Sequence, residues 1–294
     1  MISLIIPAFN EEGAILQTLE RAHKALNQCG DSYEIIVVND GSTDETGALL
    51  RKAVHPAVTV VHHHTNRGNG AAVKTGIRHA KGNTLAIVDA DGTYPISRFP
   101  NLYEAMRKEK ADMVVGARRI NPRTAGLHNR IGKWILTKLA VHLTQMHIPD
   151  INSGMRMMDR ALVERFMHLF PDGFSSCITI TLAALTNGYN VTFIPIDYYK
   201  RVGKSKLSTG VYGPLHFMYF LTIIGRIILY FRPMRFFVAP SVLLCVLSLL
   251  TFIIGIITQN PLAPLGLIFL LAGIQLACFG LLADMIARSS QRNL

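Results

Sequence analysis

Short apolar runs alternate with amphipathic stretches through the first two-thirds of the chain. Ser3 to Pro7 is an apolar run of strand length. From about Glu12 to Gln28, Ile15, Leu19, Ala22 and Leu26 recur at helical spacing. Tyr33 to Val38 predicts a second strand. A helix over Asp44 to Val54 follows, with Ser42 or Thr43 as its expected cap and acids in its first turn. Val58 to His62 predicts a third strand, Ala71 to Ala80 a helix, and the branched run from Leu85 a fourth strand. A helix over Ile96 to Glu109 and a strand over Asp112 to Gly116 continue the alternation. The pattern then loosens into a basic, loop-like stretch from Ala117 to Arg130 and an amphipathic helix over Ile131 to Met146. Strands over Asp150 to Met158 and Asn190 to Tyr199 are expected around a helix over Ser175 to Asn187. Strands that read apolar on both faces, alternating with helices, predict an α/β fold with a mostly parallel doubly wound sheet.

The last fifth of the chain breaks this rhythm. No Asp, Glu, Lys or Arg occurs from Phe236 to Ala283, about twice the roughly 20 residues that cross a bilayer once. Thr258-Gln259-Asn260-Pro261 interrupts the run, which predicts a two-helix transmembrane hairpin over about 236–258 and 262–284. Val211 to Phe231 is apolar and aromatic with one charge, Arg226, and Leu215 to Phe231 reads as an amphipathic helix lying in the membrane interface. Arg226, Arg232 and Arg235 precede the first span, Arg288 and Arg292 follow the second, and the intervening loop has no positive charge. The positive-inside rule then sets both outer ends of the hairpin, and the catalytic domain, on the cytoplasmic side. Met1 to Phe9 lacks a basic leader and is too short for a signal peptide. The expected division is a globular domain over 1–210, an interfacial segment over 211–235, and the hairpin with a short tail over 236–294.

Charge and cysteines narrow the partners. Of 294 residues, 30 are Lys or Arg and 19 Asp or Glu, a formal net charge of +11. The basic residues form no aromatic-interleaved nucleic-acid motif, so beside a membrane anchor the expected partners are anionic lipid or an anionic substrate. Cys29, Cys177, Cys245 and Cys278 lack any metal or redox spacing.

The chemistry gathers at strand ends. Asp89 and Asp91 close the fourth strand, two residues apart, where open α/β sheets place ligands. Two carboxylates aimed at one point suit a divalent cation with oxygen ligands; an ordinary solvated Asp-Gly turn is the other reading. Pro7–Glu11, Asn39–Asp44 and Asn66–Gly70 are expected along the same sheet edge, supplying acidic and amide groups for a nucleotide. Gly68-Asn69-Gly70-Ala71-Ala72-Val73 lacks the third glycine of a dinucleotide fingerprint and follows the third strand, which argues against hydride transfer. His62-His63-His64 lies at a strand end where alternation splits the side chains, so a variable strand tail is expected rather than a metal tract. Trp134, the only tryptophan, reads as a packing or interface residue.

As an ordered set, Pro7-Ala8-Phe9-Asn10-Glu11, Asn39-Asp40-Gly41-Ser42-Thr43-Asp44, Asn66-Arg67-Gly68-Asn69-Gly70 and Asp89-Ala90-Asp91-Gly92 resemble the inverting nucleotide-sugar glycosyltransferases of the GT-A fold. Val115-Gly116-Ala117-Arg118, Asn152-Ser153-Gly154-Met155-Arg156 and Arg201-Val202-Gly203-Lys204-Ser205-Lys206 extend the resemblance, over about residues 2–210, to polyprenyl-phosphate sugar synthases of the dolichyl-phosphate mannose type. The resemblance implies single-sugar transfer from a UDP- or GDP-sugar to a polyprenyl phosphate with inversion, with Mg2+ or Mn2+ as cofactor. It implies that Pro7, Ala8, Asn10, Glu11, Asp40, Asn66, Gly68, Gly70 and Ala90 line the donor pocket together with Asp89 and Asp91. Those two carboxylates flank or hold the metal, with Thr93 as a third candidate where many relatives carry glutamine. Arg118, Arg130, Arg201, Ser205 and Lys206 are the expected acceptor-phosphate ligands, Arg118 acting with Asp89 and Asp91 in catalysis. Asn39 stands where the family usually has aspartate.

The chemistry suits such a transfer. A phosphate monoester is already largely anionic at neutral pH, so it needs cations to hold it in line rather than a strong base. Two alternatives differ in class. Processive polysaccharide synthases share the early motifs, but here Gly132-Lys133 precede Trp134 where those enzymes carry Gln-x-x-Arg-Trp, and two spans hardly line a channel. A catalytically inactive membrane scaffold would have no reason to keep two repelling carboxylates. Self-association through the membrane part is a further expectation.

Overall fold

The computed structural model describes residues 1–53, 55–119, 148–173, 175–199, 222, 225, 233–259 and 263–292. The chain divides into two compact units, Met1–Phe220 and Leu221–Leu294. In the first unit, β1 (Ile2–Ala8), α1 (Ile15–Asn27), β2 (Tyr33–Asn39), α2 (Thr46–Lys52), β3 (Val58–His62), α3 (Asn69–His79) and β4 (Thr84–Ile87) alternate as the apolar pattern predicts. They are followed by α4 (Phe99–Lys108), β5 (Met113–Arg118), β6 (Arg156–Asp159), α5 (Arg160–Phe166), α6 (Ser176–Thr186) and β7 (Val191–Ile196).

The seven strands pair in the order β3-β2-β1-β4-β6-β5-β7. β1 pairs in parallel with β2 and β4, β2 with β3, and β5 with β7. β6 alone runs antiparallel, wedged between β4 and β5. Every residue of β1 is buried, as a strand covered on both faces requires. Each such branched side chain taken from water contributes about 1.5–3 kcal/mol, which makes β1 the core of the unit. Edge strand β3 is half-exposed.

Several boundaries differ from the expectation. The helix after β2 begins at Thr46 and has no side-chain cap, because the Ser42 hydroxyl accepts from Asn10 N–H and the Thr43 hydroxyl is engaged by the Asn10 side chain. Ile96–Arg98 forms a 3-10 turn ahead of α4, where the pattern suggests one continuous helix. Only the end of the expected strand over Asp150 to Met158 is strand, and its direction is reversed. Residues 150–155 form a loop instead, and this reversal positions the site. The expected helix over 131–146, with Trp134, lies outside the described residues, as does almost all of the interfacial segment over 211–235.

The second unit holds two long apolar helices, α7 (Pro233–Thr258) and α8 (Ala263–Arg292). Phe236–Thr258 and Pro264–Ala287 are long and apolar enough to span a bilayer, at mean hydropathies of 2.6 and 2.4. A core helix of a soluble protein would hide its aliphatic residues, but Ile256 and Ile257 are 79% and 75% exposed. The two helices grip along glycines seven apart. A Cβ on Gly266 would lie 2.9 Å from Thr251 Oγ1, one on Gly273 3.0 Å from Cys245 Sγ, and one on Gly280 2.9 Å from Phe237 Cβ. At this close approach Ser241 and Ser248 donate across the seam to the carbonyls of Gly273 and Gly266, both at 2.8 Å, as small residues allow in apolar helix pairs.

Candidate functional site

The loops after β1 and β2 are sewn together. Asn10 takes a left-handed backbone (φ 55°), and its side-chain oxygen accepts from Thr43 N–H at 2.8 Å. Glu11 N–H donates to the Thr46 hydroxyl at 2.8 Å, Glu45 N–H to Glu12, and Glu12 N–H to Asp44. Pro7 and Ala8 are buried at the end of β1, and Glu11 is 7% exposed. Two consecutive strands thus present one rigid rim.

Asp40 organises the next loop. It is 3% exposed, and its carboxylate accepts from Arg67 N–H at 2.9 Å and Gly68 N–H at 2.8 Å. Gly68 N–H also donates to Asn66 Oδ1, and Gly68 needs its positive φ of 97°. At the two glycines expected to line the donor pocket, the backbone amides are already engaged within the chain. Gly68 N–H is held by Asp40, while Gly70 N–H and Ala71 N–H donate to the carbonyls of Gly173 and Asp172 at 2.7 and 2.8 Å. The glycines are there because the 171–173 segment presses on them: a Cβ on Gly68 would sit 2.5 Å from Asp172 O. Lys74 on α3 pins the same segment through Phe170 O and the Asp172 carboxylate.

β4 ends at Ile87, so Asp89 and Asp91 stand in the turn beyond the strand, not on alternating strand positions. Asp91 is 7% exposed, and its Oδ1 accepts from the Thr93 hydroxyl at 2.6 Å and from Thr93 N–H at 3.1 Å. Thr93 therefore orients Asp91, and its own hydroxyl proton is spent there. Asp89 lies against the loop before β6: a Cβ on Gly154 would meet Asp89 Oδ2 at 2.5 Å. Gly154 N–H donates to the Tyr94 hydroxyl at 2.7 Å. Burial, then the negative charge of Asp89, pushes the Tyr94 phenol up, with Arg118 opposing. Tyr94 thus feels an acidic and a basic group at once. Among the described residues no three His, Cys, Asp or Glu side chains are grouped to hold a metal by themselves.

Arg118, at the end of β5, has a partner that sequence reasoning missed. Its Nε and Nη2 donate to the two Asp150 carboxylate oxygens at 2.7 and 3.0 Å, and Nη2 also reaches Asn152 O at 3.1 Å. The guanidinium lies 5.2 Å from the Tyr198 ring centroid, a cation–π contact, and Tyr198 meets Tyr94 edge-on at 5.3 Å. Burial pulls the Arg118 pKa down, but the Asp150 hydrogen bonds, with Tyr94, the Asp150 charge and Tyr198, together outweigh it and the net shift is upward. Asp150 is 2% exposed, a cost tolerated because it is fully engaged. Arg156, wholly buried on β6, donates to Cys177 O, Thr181 Oγ1 and Ser153 O, tying β6 to α6. Arg130, Arg201, Ser205 and Lys206 lie outside the described residues.

The histidine tract is also reassigned. His62 accepts from Asn39 Nδ2 at 3.0 Å, and His63 Nδ1 meets Asp40 Oδ1 at 2.6 Å with both side chains buried. Alternation does split the tract, as expected, and it delivers His63 inward against Asp40.

Comparisons with known proteins show what the whole chain resembles. The chain is 26% identical to the dodecaprenyl-phosphate galacturonate synthase of Rhizobium johnstonii over 99% of its own length and 89% of the relative's. It is 26% identical to the undecaprenyl-phosphate 4-deoxy-4-formamido-L-arabinose transferase of Edwardsiella ictaluri, covering 98% and 89%. The fold matches the glucosyl-3-phosphoglycerate synthase of Mycobacterium tuberculosis solved with Mn2+, UDP and phosphoglyceric acid, at a TM-score of 0.60, 20% identity, and coverage of 76% of this chain and 78% of that one. The S. aureus TarS 1-349 complex with UDP-GlcNAc matches at 0.57 and 20% identity, covering 79% and 67%. Residues 232–289 match the GtrB C-terminal hairpin. Residues 3–167 match glycosyl transferase family 2, and the chain belongs to that family of GT-A glycosyltransferases.

Proposed function

We propose that this enzyme moves one sugar from a nucleotide-sugar to a polyprenyl phosphate, with inversion at the anomeric carbon. The observation that carries this reading is the gathering of Asp89, Tyr94 and the Arg118–Asp150 pair against the one loop that precedes β6, in a chain with an apolar C-terminal hairpin. The relatives named for lipid-phosphate substrates support it, since they align over nearly the whole chain, hairpin included.

The rim of Pro7, Ala8, Asn10, Glu11 and Asp40 receives the nucleoside, with Asn66 and Ala90 at its margin. Asp89 and Asp91 face the diphosphate. Their hard oxygens suit Mg2+ or Mn2+, and two carboxylates with the substrate's own phosphate oxygens make a usual shell for such an ion. Thr93 orients Asp91 rather than adding a third protein ligand. The ion, when bound, neutralises charge on the departing nucleoside diphosphate. Arg118, set by Asp150 and Tyr198, directs its guanidinium at the acceptor phosphate, with Arg130, Arg201, Ser205 and Lys206 as further ligands. That oxyanion attacks the anomeric carbon opposite the leaving diphosphate; holding both in line is most of the catalysis required. Arginines on both outer sides of the hairpin and none between the spans favour a cytoplasmic catalytic unit.

The test is direct. Membranes containing the enzyme are incubated with labelled UDP- and GDP-sugars, polyprenyl phosphate and Mg2+ or Mn2+. One donor is expected to give a labelled lipid, and Asp91→Ala to abolish it. Absence of labelled lipid with every donor would overturn the proposal.

A further inference from the structure

The buried contact between His63 and Asp40 is used by nothing in the chemistry above. Asp40 Oδ1 lies 2.6 Å from His63 Nδ1, and His63 Nε2 lies 2.9 Å from Thr75 Oγ1. The side chains of His63 and Asp40 are only 6% and 4% exposed. An ionised carboxylate only accepts, so Nδ1 carries the proton that donates to it. In the neutral ring Nε2 is then the acceptor, and the Thr75 hydroxyl donates to it; that bond holds the tautomer and the ring plane. Thr75 sits on α3, the helix that starts in the glycine loop. One imidazole therefore joins the end of β2, the end of β3 and α3.

The carboxylate it holds is the one that also anchors the glycine loop. Oδ1 takes His63 and Arg67 N–H, and Oδ2 takes Gly68 N–H. About four acceptor positions exist on a carboxylate, and three are filled from within the chain. What is left suits a ligand edge that brings an N–H or O–H donor and turns away one that brings a lone pair. Without the imidazole, Oδ1 would lose its shortest hydrogen bond and the carboxylate could rotate about its terminal torsion, which is intrinsically broad.

We infer that His63 is a positioning residue of the donor pocket, fixing Asp40 in the orientation that receives the nucleobase. The inference rests on the reading of Asp40 as part of the nucleoside pocket, and on the geometry of the three side chains. A merely structural staple would have the same contacts, so the test must separate binding from folding.

The full chain in detergent is titrated calorimetrically with UDP and with GDP, and donor KM, acceptor KM and kcat are measured with the donor that supports transfer. His63→Leu removes both hydrogen bonds. His63→Asn keeps an amide N–H near the place of Nδ1–H and loses only the link to Thr75; Thr75→Val loses the same link from the other side. Loss of a hydrogen bond to a charged group predicts a rise of about tenfold or more in the nucleotide Kd and donor KM for His63→Leu. Acceptor KM and kcat should change far less, and His63→Asn should recover most of the loss. Equal losses in His63→Leu and His63→Asn, or parallel changes in donor and acceptor KM, would overturn the inference; should His63→Leu fail to fold, an unchanged donor KM in both His63→Asn and Thr75→Val would support the inference only for the Nδ1 bond, and a loss in His63→Asn as large as in Asp40→Asn would overturn it. Asp40→Asn separates the two levels. If it raises donor KM while His63→Leu does not, the role of His63 fails and the pocket stands. If Asp40→Asn leaves nucleotide binding intact, or the wild type binds neither nucleotide, the pocket reading fails and takes the inference with it.

Discussion

Replacing Gly70 with alanine sets helix propensity against packing. In an open helix the change would be stabilising by up to about 1 kcal/mol. At Gly70 the added Cβ would lie 2.9 Å from Gly173 O and closer still to Pro171 O. Neither atom is the end of a flexible side chain, so the 171–173 segment must move away. It then loses Gly70 N–H to Gly173 O at 2.7 Å and Ala71 N–H to Asp172 O at 2.8 Å, each contributing about 1 kcal/mol net. The Lys74–Asp172 pair adds little, because Asp172 is 71% exposed. About 2 kcal/mol lost against at most about 1 gained leaves local opening easier by roughly 1 kcal/mol, about fivefold in population. Hydrogen exchange at Gly70 and Ala71, and protease cleavage within 171–173, report that opening directly. Both should accelerate about fivefold in Gly70→Ala. Unchanged or slower exchange would refute the reasoning, since it would mean that the loop yields without losing its bonds and propensity wins.

Other perturbations test separate links. Thr93→Val removes the hydroxyl from Asp91, a buried bond to a charged group of about 1.5–3 kcal/mol, and should raise the metal concentration for half-maximal transfer about tenfold or more, with Thr93→Ser restoring it. Asp150→Ala leaves the mostly buried Arg118 guanidinium without its carboxylate. A loss of about 3 kcal/mol is expected, read as a lower thermal midpoint together with a raised acceptor KM. Asp44 is pushed up by burial but pulled further down by hydrogen bonds from Thr46 and Glu12 N–H, so its carboxyl sits below its ordinary 3.8. Its contribution is fully present above pH 3.8 and is lost as pH falls through the lower folded value. The difference in unfolding midpoint between wild type and Asp44→Ala should accordingly hold steady from neutrality down to about pH 5 and shrink only in stronger acid.

Much of the architecture is legible in local pattern. β1 to β4 and their helices fall where the apolar runs and the helical spacing of Ile15, Leu19, Ala22 and Leu26 put them, because covered parallel strands leave an unambiguous signature. Strand direction has no such signature. Arg156–Asp159 reads as a strand in either sense, and only the pairing with β4 and β5 reverses it. The consequence for the site is large: an antiparallel strand brings its beginning to the edge where its neighbours end, so Asp150 and Gly154 meet Arg118 and Asp89. Asp150 was therefore invisible as a partner, thirty-two positions from the arginine it holds. Gly68 and Gly70 invite comparison with a ligand-binding loop in sequence because glycine signals close approach, but not what approaches. His63 fell to a sound rule, since alternation scatters a tract, yet one scattered member still points inward.

The antiparallel wedge also has a consequence for how the sheet is completed. β1, β2, β3 and β4 can pair as soon as they are made, while β4 and β5 meet only through β6. Until Arg156–Asp159 has emerged, Leu85–Ile87 and Met113–Val115 each present an open, apolar edge. Such edges template non-native pairing. The vulnerable interval in the life of this chain thus lies early in its synthesis, between the making of β5 and the arrival of four residues that close the gap.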